Sequence, residues 1–190
     1  SPTVGVQTLT RSTTSMNSSV DQLRDQVALV TGGTGGLGRC IAEGLASAGA
    51  TVVIADIDLD DADEIVKGIE TRGQRGMALP MDVTDSVSVQ TASDRICSEF
   101  GRIDVLVNGH GIAKRMPSED FPEAEWDRII DVNLKGVFLC CQIVGRIMLR
   151  QRRGAIINLA SIGGLVALPT SLPYCASKGG VVQITRALGV

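Results

Sequence analysis

Five short apolar runs punctuate the chain: VALVT at 27–31, TVVIA at 51–55, GMALP at 76–80, VLVN at 105–108 and AIINLA at 155–160. None alternates apolar with polar residues, so each reads as a strand covered on both faces, the pattern of a parallel sheet. Between them, longer periodic stretches predict helices at 37–48, 59–72, 86–100 and 122–150, with another opening near Leu172. Asp58, Asp60, Asp61 and Asp63 crowd the start of the second helix, where carboxylates suit the positive end of the helix dipole. Regular strand–helix alternation predicts a doubly wound α/β domain. There is no internal repeat.

The first 22 residues stand apart. Positions 1–20 hold ten Ser or Thr and no acid, too little apolar surface to offset the entropy of ordering, so a disordered tail is expected over 1–22 and a folded domain over 23–190. One arginine is thin support for a transit peptide, and Met16 could be the natural start.

Composition narrows the function classes. Apolar residues make up 44% and charged residues 21%, as in ordinary globular proteins, and the net charge of −3 comes without a basic cluster, so no nucleic-acid partner is expected. No apolar run approaches the roughly 20 residues of a membrane span, so no membrane partner is expected either. The five cysteines include no Cys-x-x-Cys pair and several sit in apolar stretches, pointing to a reducing compartment, the cytoplasm. His110 is the single histidine, too few for a histidine-rich zinc site, and no metal is expected.

TGGTGGLG, Thr31 to Gly38, follows the first strand and opens the first helix. Glycines there permit a tight turn and let backbone approach a pyrophosphate, which the free N–H groups of the helix start can bind. A P-loop is excluded, because Arg39 and Cys40 stand where it needs Lys and Ser or Thr. The glycines fit G-x-G-x-x-G, T-G-x-x-x-G-x-G and T-G-x-x-G-x-x-G alike, so the loop alone says dinucleotide without naming a family. Asp56 stands eighteen residues beyond Gly38, at the end of the second strand. A carboxylate there accepts from adenine-ribose hydroxyls and repels a 2′-phosphate, favouring NAD over NADP. Arg39 is the contrary hint, since it could pair with such a phosphate.

The order of motifs resembles the short-chain dehydrogenase/reductase family from about Val27 to the end of the chain. Thr31, Gly32, Gly36 and Gly38 match its T-G-x-x-x-G-x-G, which settles the glycine register. Asp82-Val83 matches the Asp-Val after the third strand, which in that family holds the adenine, and Asn108-Gly109-His110-Gly111 the N-N-A-G after the fourth. Asn133 matches the helix asparagine, Ser161 the serine after the fifth strand, and Tyr174 with Lys178 the Y-x-x-x-K pair. The resemblance implies a Rossmann-like sheet flanked by helices and cofactor contacts from Gly32, Thr34, Gly36, Leu37, Gly38, Asp56, Asp82, Val83, Asn108, Gly109, Tyr174 and Lys178. It implies that Ser161 bonds the reacting oxygen, that Asn133 helps hold a water linked to the lysine, and that Lys178 also bonds the nicotinamide ribose. Gly163, Gly164, Leu165, Val166 and Ala167 would line the substrate side, and a homodimer or homotetramer follows by analogy.

The catalytic pair makes chemical sense on its own. Tyr174 and Lys178 are spaced i, i+4 and share one face of a helix. A free phenol titrates near 10, and bringing it close to neutrality takes roughly 4 kcal/mol of preferential stabilisation of the phenolate. A neighbouring ammonium and a cofactor's positive charge supply that kind of stabilisation. The phenolate can then take a proton from a substrate hydroxyl as hydride leaves for nicotinamide, or return it. The expected function is therefore NAD-dependent interconversion of a secondary alcohol and a ketone, on a small-molecule polyol, sugar acid or 3-oxoacyl compound, with the polyol favoured.

Two features depart from the family pattern. His110 replaces the usual alanine and is taken as tolerated there. The sequence stops at Val190, inside the helix that carries Lys178, so the last strands and the substrate-closing loops are expected to be missing and AIINLA to form an apolar edge. The expectation is a partial sequence of a longer enzyme, with a non-catalytic NAD-binding or interaction fragment as the alternative. Acyl transfer by Ser161 with His110 is weakly supported, because no G-x-S-x-G elbow exists and the histidine lies on another loop.

Overall fold

A computed structural model describes residues 22–190, so the expected tail lies, but for Gln22, outside the described residues. Five parallel strands form one sheet in the order β3-β2-β1-β4-β5. They are β1 (Val27–Thr31), β2 (Thr51–Asp56), β3 (Gly76–Pro80), β4 (Val105–Asn108) and β5 (Ala155–Asn158). The α-helices are α1 (Gly36–Ser47), α2 (Ala62–Glu70), α3 (Ser86–Phe100), α4 (Glu123–Ile130), α5 (Gly136–Gln151) and α6 (Leu172–Leu188). This is the doubly wound Rossmann-like arrangement that the alternating apolar runs predict.

The central strands are apolar throughout because both faces are covered. Leu29 and Leu106 pack with Val89, Ile96, Cys140 and Val144 of α3 and α5, whereas Ala28, Val30 and Val107 pack with Ala42 of α1 and Ile65 and Ile69 of α2. The outer strands are less covered: β3 is half-buried, and in β5 Ala155 and Ile157 are exposed on the edge of the sheet. At the amino ends, the buried carboxylate of Asp104 accepts from the Val27 N–H at 3.0 Å and ties β1 to β4. The register then sets Thr31 level with Ala55 and Asn108, and Asn108 level with Asn158, so the carboxyl ends finish as one row.

Two elements differ from expectation for local reasons. The second helix begins at Ala62 rather than 59, because Asp58 accepts from the Asp60 N–H in a turn ahead of it. Only Asp63 and Glu64 reach the first helical turn. The long helix predicted at 122–150 runs continuously over 123–151, but Asp131–Lys135 is a π-turn between α4 and α5. That run, Glu123–Gln151, is long and apolar enough by length and composition to cross a membrane, contrary to the sequence expectation. Half of its apolar window is buried in the fold, with Val137, Cys140, Val144 and Met148 in the core.

The glycine loop sets the opening of the site. Gly32 adopts φ +65°, a left-handed conformation that glycine tolerates without strain. A Cβ on Gly38 would stand 2.0 Å from the Gly32 carbonyl oxygen, whereas one on Gly36 would meet nothing within 4 Å. Gly38→Ala must therefore move backbone and is expected to lower stability by about 2 kcal/mol or more. Gly36→Ala should leave stability unchanged or raise it by up to about 1 kcal/mol through helix preference. Urea unfolding of the two variants checks this; equal midpoints would contradict it.

Candidate active site

A cleft of about 1000 Å³ opens at the carboxyl ends of β1, β2, β3 and β4. Its walls include Gly32, Thr34, Gly36, Leu37, Gly38, Asp56, Asp82, Val83 and Gly109, nine of the residues expected to hold a cofactor. Helix α1 begins at Gly36 behind Gly35, which has no side chain to cap it, and has no acid in its first turn. Its first N–H donors are thus free of side-chain competition and suit an anion. A dinucleotide pyrophosphate fits that donor set, and the open space over Gly36 leaves room for its approach.

At the rim of the cleft, the carboxylate of Asp56 accepts from the backbone N–H of Thr34 at 3.2 Å, from the Thr34 hydroxyl and from the Ile57 N–H at 2.8 Å. Asp56 is thereby oriented by hydrogen bonds, with no ion pair among the described residues. Arg39, the contrary hint, is paired with Glu43 at 3.2 Å and Glu64 at 3.0 Å, and these acids raise its pKa further. Asp82 folds its carboxylate onto Thr84, accepting from its N–H at 2.8 Å and its hydroxyl at 2.7 Å. Asp82, Val83 and Thr84 of that turn all line the cleft. Asn108 differs from the other expected cofactor contacts. It is fully buried behind the cleft, and its amide donates to Asn158 Oδ1 at 2.7 Å, joining β4 to β5.

The catalytic candidates lie beyond the cleft lining. Lys178 is 5% exposed, and its Nζ donates to the Leu159 carbonyl at 2.6 Å. Burial lowers its pKa from the ordinary lysine value. The ammonium stands 6.0 Å from the centre of the Tyr174 ring, at the outer reach of a cation–π contact. Asn133 is fully buried in the π-turn. Its Oδ1 accepts from the Ile112 N–H at 2.8 Å, and its Nδ2 donates to the Ile112 carbonyl at 2.8 Å and to Ser177 Oγ at 3.1 Å. A Cβ on Gly111 would lie 3.4 Å from both Asn133 Oδ1 and Lys178 Nζ, so the amide and the ammonium flank one backbone position. Ser161 is half-buried ahead of a single 3-10 turn (Ile162–Gly164) and accepts from the Gly163 N–H at 3.1 Å. Leu165 and Val166 beyond it are exposed, 71% and 52%, on the side expected to face substrate.

Acyl transfer finds no geometric support. The His110 ring is engaged with Thr31 and Ser161 with Gly163, so neither activates the other. Sequence reasoning also missed several walls of the cleft. Ile57, Ile112, Asp127, Arg128, Asp131 and Val132 line it, and those from α4 and the π-turn have no signal in the glycine-loop motif. Only the helix crossing brings them there.

His110 itself is 7% exposed and lines the cleft floor, with Nδ1 2.6 Å from Thr31 Oγ1. Desolvation, and then the charge of Lys178, lower its pKa to about 4, against smaller opposing pulls from the Val132 carbonyl and Asp56. The imidazole is neutral when folded and titrates near 6.5 when unfolded. Its contribution to stability is therefore complete above pH 6.5 and is lost as pH falls from there toward 4. As the only histidine, it should cost the fold about 2 kcal/mol by pH 5 relative to pH 8. Chemical unfolding across that range checks the slope, and a His110→Asn variant should flatten it; an identical slope in the variant would contradict the assignment.

Comparison with known proteins agrees with this geometry. The sequence profile described as short chain dehydrogenase matches residues 26–190. The chain is 43% identical over 169 residues to a D-threitol dehydrogenase of Mycolicibacterium smegmatis, covering 88% of this chain and 64% of that protein. It is 43% identical over 160 residues to a 3-oxoacyl-[acyl-carrier-protein] reductase of Staphylococcus epidermidis, covering 84% and 66%. The crystal structure of an NAD+-bound xylitol dehydrogenase superposes with a TM-score of 0.86 at 28% identity, covering 88% of this chain and 65% of that one. The chain thus spans about two thirds of the length of these relatives. From the glycine loop to the Tyr174–Lys178 helix, it belongs to the short-chain dehydrogenase family of oxidoreductases.

Proposed function

We propose that the chain carries the cofactor-binding and proton-transfer parts of an NAD-dependent enzyme that interconverts a secondary alcohol and a ketone, with a polyol as substrate class. The observation that carries this reading is the buried ammonium of Lys178, one helical turn from Tyr174, bonded to the Leu159 carbonyl and paired with no carboxylate among the described residues. A cation kept out of water without a counter-ion is costly, and stabilising a phenolate is a use for it.

The glycine loop and the α1 N-terminus would hold the pyrophosphate of NAD, Asp56 the adenine ribose, and Val83 the adenine side of the cleft. Bound there, the nicotinamide supplies or accepts hydride. Tyr174 gives a proton to the carbonyl oxygen in reduction and takes it from the hydroxyl in oxidation. Lys178 stabilises the phenolate electrostatically, and Ser161 offers its hydroxyl to the reacting oxygen. Asn133, through Ile112 and Ser177, keeps the loop after β4 and helix α6 at a fixed separation. NAD is favoured over NADP because Asp56 repels a 2′-phosphate while Arg39 is held by two acids away from the cleft. The polyol assignment is supported by the threitol- and xylitol-directed relatives. By family analogy the whole enzyme acts as a homodimer or homotetramer, in the cytoplasm.

In an NAD-linked assay with threitol and xylitol, Tyr174→Phe should lower turnover about a thousandfold while leaving NADH affinity within about twofold. Full activity in that variant would sink the mechanism. NADH binding by the wild-type chain without turnover of any polyol or 3-oxoacyl compound would reduce the reading to dinucleotide binding alone.

A further inference from the structure

The imidazole of His110 occupies the junction of three segments that wall the cleft. On one side, Thr31 Oγ1 at the end of β1 stands 2.6 Å from Nδ1 and accepts from the Gly109 N–H at 3.2 Å. On the other, Nε2 faces the π-turn and the start of α5, where a Cβ on Gly136 would lie only 3.1 Å from it. A side chain at 136 would thus crowd the ring, so glycine there leaves it space. Nε2 is fully buried with no hydrogen-bond partner among the described residues. The Thr31 hydroxyl has two acceptors in reach, Nδ1 at 2.6 Å and the Val107 carbonyl at 3.3 Å; donating into the nearer one, it leaves the ring proton of a neutral imidazole on Nε2.

We propose that His110 is a positioning residue for the cofactor site: as a neutral imidazole protonated on Nε2, it locks the glycine loop, the loop after β4 and the π-turn to one another. The residues so joined, Gly32, Gly109, Ile112 and Val132, all line the cleft. Neither ring nitrogen is offered to the cleft: Nδ1 is engaged with Thr31 and Nε2 is buried. Its contribution is the fixed spacing of walls that a bound dinucleotide must otherwise order for itself. A cation at this position would add to the buried charge of Lys178, which is why the neutral form is the working one.

The inference rests on the dinucleotide reading above, and the test keeps the two separable. Because the chain has one histidine, imidazole ¹⁵N resonances need no assignment. The free wild-type chain near pH 7 should show the Nε2-protonated tautomer, and adding NADH should shift those resonances. His110→Ala should weaken NADH binding about tenfold, as expected for one lost buried hydrogen bond and its packing. His110→Asn, whose amide group stands where Nδ1 did, should recover most of that loss. An Nδ1-protonated or cationic ring overturns the proposal, as does wild-type affinity in the alanine variant or an asparagine variant no better than alanine. If the variants do not fold, the tautomer and the NADH-induced shift in the wild-type chain decide. Failure of the wild-type chain to bind NADH would instead overturn the dinucleotide reading, with the tautomer of the free chain still measurable.

Discussion

The α-carbon of Gly38 packs against the carbonyl of Gly32 with no room for a methyl group between them, and much of the site depends on that contact. It brings the first turn of α1 back over the end of β1. The loop between them then reaches β2, where Thr34 meets the carboxylate of Asp56. A side chain at Gly38 would push helix from strand and withdraw the N–H donors from the cleft, and one at Gly32 would run into the backbone of His110. The constraint is steric and local, yet in the proposed site it sets where a pyrophosphate would sit and where its ribose would meet an acid.

A second constraint is electrostatic. Lys178 is buried with a carbonyl for company, and no carboxylate among the described residues neutralises its charge. Asn133 spends its amide on Ile112 and Ser177, and His110 stays neutral partly because the ammonium is near. A carboxylate at either place would pair with the ammonium and weaken the field that the proposed role of Tyr174 needs.

The sheet was largely legible in the sequence, because buried parallel strands leave continuous apolar runs with little competing interpretation. Strands at 27–31, 76–80 and 105–108 fall where the runs predict, and α3 matches at both ends, between the Asp85 cap and left-handed Gly101. Legibility fails where the cause is distant in sequence. The π-turn follows from no residue between 131 and 135 alone; the amide of Asn133 finds its backbone partner twenty-one residues earlier, at Ile112. The Tyr174–Lys178 spacing is visible in the sequence, but the burial of the lysine depends on Leu159 beyond β5. His110 reads as a tolerated loop residue until the fold places Thr31 and Gly136 on either side of it.

Glycine loop, oriented acid and buried lysine are the features on which the proposed NAD site rests. The most direct measurement is a fluorescence titration of the chain with NADH and with NADPH, repeated on Asp56→Ala. The account predicts that the wild-type chain binds NADH at least about tenfold more tightly than NADPH, because a 2′-phosphate would face the Asp56 carboxylate, and that the alanine variant narrows this gap. Equal affinity for the two cofactors, or an unchanged ratio in the variant, would contradict it.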